Sequence, residues 1–185
     1  AISNSGNNYT ATYTVNATDL NGVQAFTIDY NDLAGNAGAR VNAITVGSNV
    51  EIDVDAPYVV SFTIADDELD VSGAKAAVTL QFSEAVVGFN SDADITAANG
   101  TLSAMTSTDN ITWTGTFTAT LAVENNSNVL TLAAGSYKDV VGNDGLTANS
   151  QSYNIDTKLP TLSTVSIASN NVNDTKLAMA GDVIT

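Results

Sequence analysis

The chain has 185 residues, with 20 Asp and Glu against 5 Lys and Arg, a formal net charge of −15 and no His or Cys. A surface this acidic repels nucleic acid and anionic membranes, so neither is expected as a partner. The missing residue types exclude disulfides, thiolate nucleophiles, zinc-thiolate sites and Ser-His-Asp catalysis, and no apolar run approaches the roughly 18 residues of a membrane span.

The first predicted strands alternate at period two: Tyr9, Ala11 and Tyr13 with Thr10, Thr12 and Thr14, then Phe26, Ile28 and Tyr30. The turn that follows, Asp32-Leu33-Ala34-Gly35-Asn36-Ala37-Gly38, reads D-x-x-G-N-x-G, and Asp139-Val140-Val141-Gly142-Asn143-Asp144-Gly145 repeats it 107 residues later. About twenty residues beyond each turn comes I-D-x-x-x-P: Ile52-Asp53 with Pro57, then Ile155-Asp156 with Pro160. A third pair, Tyr9 to Thr14 and Trp113 to Thr118, lies 104 residues apart. Landmarks drifting by so little mark tandem repeats of about one hundred residues with loop indels. The two prolines divide the chain into 1–55, 56–159 and 160–185. The middle piece is a whole repeat. The first matches its second half, and the last matches its start through Val165 and Ile167.

In the middle piece, strands are predicted at 58–65, 75–83, 94–97, 101–106, 111–121, 128–137 and 147–156. The clearest is the alternation of Ile111, Trp113, Gly115, Phe117, Ala119 and Leu121 with five threonines. Apolar residues face inward and β-branched polar residues outward, as in a half-buried antiparallel strand. Seven short strands separated by Gly/Asn/Asp turns predict an all-β chain of tandem immunoglobulin-like antiparallel β-sandwiches, one complete and flanked by two partial ones. Trp113 belongs to the core on this reading. The threonine ladders are exposed strand faces, a role that threonine suits. No aromatic-lined cleft accompanies the paired acids, so no enzyme is expected.

Strands that alternate in direction sort their loops to two poles. The N-terminal pole gathers the linker acids Asp53 and Asp55 with Glu84 and Asp139. The C-terminal pole gathers Asp66, Asp67 and Asp156. Two carboxylates about 5 Å apart repel by roughly 1 kcal/mol in water-like dielectric and about 3 kcal/mol at an effective ε near 20. Three or four around one point require a cation, and an all-oxygen donor set selects calcium over transition metals. Structural calcium is therefore expected at Asp53, Asp55, Glu84 and Asp139, with a weaker second site at Asp66, Asp67 and Asp156. The D-x-x-G-N-x-G loops also read as tight turns in which Gly and Asn supply positive φ and the Asp caps amides. Neither matches an EF-hand.

The set Phe82-Ser83-Glu84-Ala85-Val86-Val87-Gly88-Phe89, Asn99-Gly100-Thr101-Leu102-Ser103, Thr112-Trp113-Thr114, Tyr137-Lys138-Asp139 with Gly142-Asn143, and Ile155-Asp156-Thr157 with Pro160 resembles the immunoglobulin-like repeats of giant bacterial surface adhesins of RTX and biofilm type. The resemblance covers 56–159 end to end and extends to the sister repeat through Phe26 to Gly38. It implies secretion to the bacterial cell surface, extended stalks, and calcium that stiffens the domain joints. It also implies neighbouring repeats of the same protein as partners. Lys158 departs from the pattern by placing a cation beside Asp156. The partial end pieces leave a second expectation open: a filament or surface-layer subunit in which identical chains pair head to tail by strand complementation.

Overall fold

The structure, a computed structural model, describes residues 1–185. Its strands are short and its only helix is a single turn. In chain order they are β1 (Ile2–Ser5), β2 (Asn8–Ala11), β3 (Gly22–Val23), β4 (Glu51–Ile52), β5 (Val59–Ile64), β6 (Glu68–Asp70), β7 (Lys75–Phe82), α1 (Ser91–Asp94), β8 (Ile95–Ala97), β9 (Gly100–Leu102), β10 (Thr112–Ala119), β11 (Glu124–Asn128), β12 (Leu130–Leu132), β13 (Ala148–Asn149) and β14 (Tyr153–Asp156). The fold is all-β. No helix is long and apolar enough to cross a membrane.

Residues 57–157 form a β-sandwich. One layer is the four-stranded sheet β5-β7-β10-β9. The facing layer is made of two three-stranded ribbons, β13-β12-β8 and β11-β14-β6. The alternation read from sequence is visible in the register, where Trp113 stands opposite Leu80 and Phe117 opposite Ala76. Between the layers lies one core of 17 buried residues, including Phe62, Val78, Leu80, Phe82, Phe117, Leu130, Leu132, Tyr137, Tyr153 and Ile155. Trp113 packs against this core from its margin through an edge-to-face contact with Phe89 at 4.8 Å. Its indole Nε1 is the one buried side-chain polar atom without a hydrogen-bond partner.

Within the sandwich, four features depart from the predicted strands. The strand expected at 101–106 ends at Leu102, with only an isolated bridge from Thr106 to Thr114 beyond it. Glu68–Asp70 lies in a stretch that reads as an acidic loop, yet it forms β6, pairs parallel with β14 and buries Leu69. The strand expected at 128–137 instead spans β11 and β12 and ends at Leu132. The strand expected at 147–156 breaks at Ser150, whose Oγ accepts from the Leu130 amide. Gln151 there reaches the opposite layer, its amide donating to Phe62 and its side chain to Ile64.

The flanking segments are open. Residues 1–55 hold the β1–β2 hairpin, the β3–β4 pair and two isolated bridges, Ile28–Val41 and Asn31–Ala37. Tyr13, Ile28 and Tyr30 remain half exposed or more, whereas Phe117, Leu132 and Tyr137, their counterparts in the complete repeat, are fully buried. In 160–185, Ala168 and Thr185 exchange amide hydrogen bonds.

The repeated turn is the same object in both copies. Asp32 and Asp139 each accept from the amide and the side chain of the Asn four residues on. In each, a tyrosine ring two residues before the Asp lies flat against the last glycine of the motif. A Cβ on Gly145 would sit 2.2 Å from the Tyr137 ring, and one on Gly38 equally close to Tyr30. Gly145→Ala should therefore cost about 2 kcal/mol or more, because Tyr137 is locked in the core and overpacking cannot relax. Gly38→Ala should cost well under 1 kcal/mol, since the exposed Tyr30 ring can swing away. Denaturant titration of the two variants checks the contrast, and equal losses would refute it.

Candidate metal centre

Asp53, Glu84 and Asp139 each present a carboxylate oxygen within 4.8 Å of the other two. They arrive from three separate parts of the chain, and each is held by an identifiable contact. Asp139 opens the repeated turn. Its Oδ1 accepts from the amides of Val141, Gly142 and Asn143 at 2.9, 2.6 and 2.9 Å, and its Oδ2 accepts from the Asn143 side chain at 2.7 Å. The carboxylate is fully buried. Gly142, at φ +107, supplies the left-handed residue that aims these amides inward.

Glu84 follows β7 on the loop leading to Phe89. Val87 and Lys138 exchange amide hydrogen bonds at 2.8 and 3.1 Å, which lays this loop alongside the Asp139 turn. Asp53 comes from the linker. Its carbonyl accepts from the Asn143 side chain at 3.2 Å, and its Oδ1 accepts from Asn21 Nδ2 at 3.0 Å. Asn21 also accepts from the Val54 amide at 2.8 Å, so one side chain of the preceding segment grips residues 53 and 54 together.

The charges of this group are uncompensated. The three ion pairs of the chain are Arg40–Asp29, Lys138–Asp144 and Lys158–Glu124, and none touches the cluster. Burial, then the charges of Asp53, Asp139 and Asp55, push the Glu84 carboxyl above its ordinary value. Burial also pushes Asp139 upward. The hydrogen bonds from Asn143, Gly142 and Val141 outweigh it and hold that carboxyl below the usual range. Asp139 therefore stays ionised, while Glu84 bears the cost of the crowding. Oxygen-only donors on three segments, one a domain linker, suit a hard divalent cation that would tie the linker to the domain.

Asp55 lies close enough to perturb Glu84 but stands outside the converging group, its amide donating to Asp53 Oδ1. Asp66, Asp67 and Asp156 are not brought to one point. Asp66 Oδ1 accepts from the Glu68 amide, the Asp67 carbonyl from Asn154, and Asp156 Oδ1 from the Lys158 amide. Sequence reasoning missed Asn143 and Asn21 as the groups that position Asp53. Asn143 was in view as the N of the turn motif, but Asn21 carries no local signal.

Without divalent cations, Glu84→Gln should raise stability at pH 7 by about 1 kcal/mol by relieving carboxylate repulsion. The sign follows from the raised folded-state value. Ionised Glu84 costs stability, so the cost is absent below the ordinary glutamate value of 4.5 and sets in as pH rises through the raised one. Thermal melts in chelator should show the advantage at pH 7 vanishing below pH 4.5. An advantage independent of pH would refute this account.

No curated protein and no solved structure shows significant similarity to the chain. The family profile described as Bacterial Ig-like domain matches residues 53–155, which begins at Asp53 of the cluster and covers all but the last two residues of the sandwich. Domains of this family are typically found on the surface or outside the cell. The chain belongs to the bacterial Ig-like domain family.

Proposed function

We propose that the chain forms structural extender repeats of a secreted bacterial surface adhesin, and that calcium stiffens the joint ahead of the complete domain. One observation carries this reading: the linker carboxylate Asp53 converges with Glu84 and Asp139 of the following domain, with no protein cation among them. An ion bridging these three would convert a five-residue linker from a swivel into a strut. Asn21 and Asn143 already hold Asp53 from either side, so the ion needs little further ordering of the chain.

Open extracellular calcium sites have dissociation constants of roughly 10⁻⁴ to 10⁻³ M. An ion that binds only the folded state contributes about 1.4 kcal/mol at ten times its dissociation constant and about 2.7 kcal/mol at a hundred times. For a domain of this size, millimolar calcium should raise the melting temperature by on the order of 5–10 °C over chelator. Asp53→Asn and Glu84→Gln should each abolish most of that increment. They are the informative variants, because Asp139 also caps its turn. Unchanged melting and unchanged hydrodynamic radius with and without calcium would overturn the proposal.

A head-to-tail filament subunit is the second reading. It is favoured by the bare apolar face at Tyr13, Phe26, Ile28 and Tyr30, which strand addition from another repeat would cover. Light scattering separates the two: concentration-dependent growth supports the filament, and a constant mass supports the extender alone.

A further inference from the structure

Asn21 and Asn99 are the two asparagines of the chain that precede a glycine. That pairing permits a reaction of the chain with itself, because a glycine amide nitrogen, with no Cβ beside it, reaches the carbonyl carbon of the preceding side chain. The two settings are opposite. A Cβ on Gly100 would sit 2.2 Å from the Phe117 ring and 2.6 Å from the Thr118 carbonyl, so this glycine is wedged against the core. Asn99 Nδ2 donates to Asn128 Oδ1 at 2.8 Å, and Asn128 is buried. Around Gly22 nothing lies within 4 Å of the same position. Gly22 opens the two-residue strand β3, and Asn21 is exposed. What restrains the Asn21 side chain is the joint: its Nδ2 donates to Asp53 Oδ1 at 3.0 Å, and its Oδ1 accepts from the Val54 amide at 2.8 Å.

We infer that Asn21 is a self-modification site, where the side-chain amide is exchanged for an acid when the joint opens. The Gly22 nitrogen gives up its proton and bonds to Asn21 Cγ. The bond from Cγ to Nδ2 breaks, the amide nitrogen leaves as ammonia with that proton, and a succinimide ring remains. Water then opens the ring at either carbonyl, giving an aspartyl or an isoaspartyl residue. The product cannot donate to Asp53. In the aspartyl form a carboxylate oxygen stands where the amide nitrogen stood, 3.0 Å from Asp53 Oδ1, beside a cluster with no protein cation. Without an added ion the joint is then permanently weaker, by the loss of one hydrogen bond and the gain of a repulsion. With a divalent ion the new carboxylate is a further oxygen donor, a consequence that rests on the calcium reading of the joint. Ageing thus turns a joint fastened by an amide into one that depends on the ion.

The test is to incubate the full chain at mildly alkaline pH, digest it, and read the peptides by mass spectrometry for the gain that amide-to-acid exchange produces. In chelator Asn21 should convert at least about tenfold faster than Asn99. Freeing Asn21 costs only exposed hydrogen bonds, whereas freeing Gly100 requires the sandwich to open. Calcium at about ten times its dissociation constant should slow Asn21 about tenfold, by holding Asp53 and so keeping the joint closed. Hydrogen exchange reads the consequence. In chelator the Val54 amide should exchange about five times faster in Asn21→Asp than in the unmodified chain, and calcium should restore most of that protection. Asn21→Ala, which offers Val54 no acceptor, should lose the protection in both conditions. Conversion of Asn21 no faster than that of Asn99 would overturn the inference and leave the metal reading untouched. An unchanged Val54 rate in Asn21→Asp would overturn it too. Fast conversion that is indifferent to calcium would sustain the site and remove the metal reading.

Discussion

The arrangement of the complete domain depends on one buried anion. The Asp139 carboxylate sits fully out of solvent and collects four donors from its own turn. Burying a charge is costly unless it is well bonded, so the turn can take only the conformation that delivers those donors. That conformation returns the chain so that Gly145 lies under the Tyr137 ring, Tyr137 packs on Phe82 at 4.7 Å, and its hydroxyl donates to the Leu146 carbonyl at 2.8 Å. The Leu146 amide then donates to the Pro57 carbonyl at 3.1 Å, which fixes the point where the linker enters the domain. A single carboxylate thus orders the core at its N-terminal pole, the linker and the cluster together.

Much of this was legible in the sequence, and the reasons are specific. Strand alternation exposed the inward set Trp113, Phe117, Leu130 and Leu132, because a sheet with one wet face leaves a period-two record. The sorting of acids to poles followed from alternating strand direction and anticipated the meeting of Asp53, Glu84 and Asp139. What stayed hidden depended on long-range pairing. Leu69 is a lone apolar residue among acids, and only its parallel partner β14 makes Glu68–Asp70 a strand. The break at Ser150 depends on a hydroxyl replacing a ladder acceptor. Asn21 gains its role from the linker 32 residues away in sequence, where no local pattern could show it. The C-terminal acids illustrate the converse, since proximity to a pole did not bring Asp66, Asp67 and Asp156 to one point.

The distribution of charge explains how so acidic a chain keeps a compact domain. The core contains no carboxylate besides Asp139, and many of the remaining acids are used locally. Asp70 accepts from the amides of Ser72 and Gly73, Asp109 from those of Ile111 and Thr112, and Asp32 from those of Ala34 and Asn36. Hydrogen bonds from nearby groups hold all three below the usual carboxylate range. Acids deployed as turn caps stabilise loops one by one. Repulsion is left concentrated at the joint, where an added cation has the most effect.

The parallel pairing of β6 with β14 has a mechanical consequence. A pull along the chain enters the domain at Pro57, ahead of β5 and β6, and leaves it at Asp156, the last residue of β14. Parallel strands drawn from opposite ends slide past each other, so their hydrogen bonds bear the load together instead of opening one at a time as in a peeled hairpin. The pairs Asn154–Glu68, Ile155–Leu69 and Asp156–Asp70 lie directly in that path, and the buried Leu69 and Ile155 side chains oppose the same slip. Tension is therefore met by a short lock in shear between β6 and β14, in series with the pairing of β5 to β7, which a pull from Pro57 reaches first.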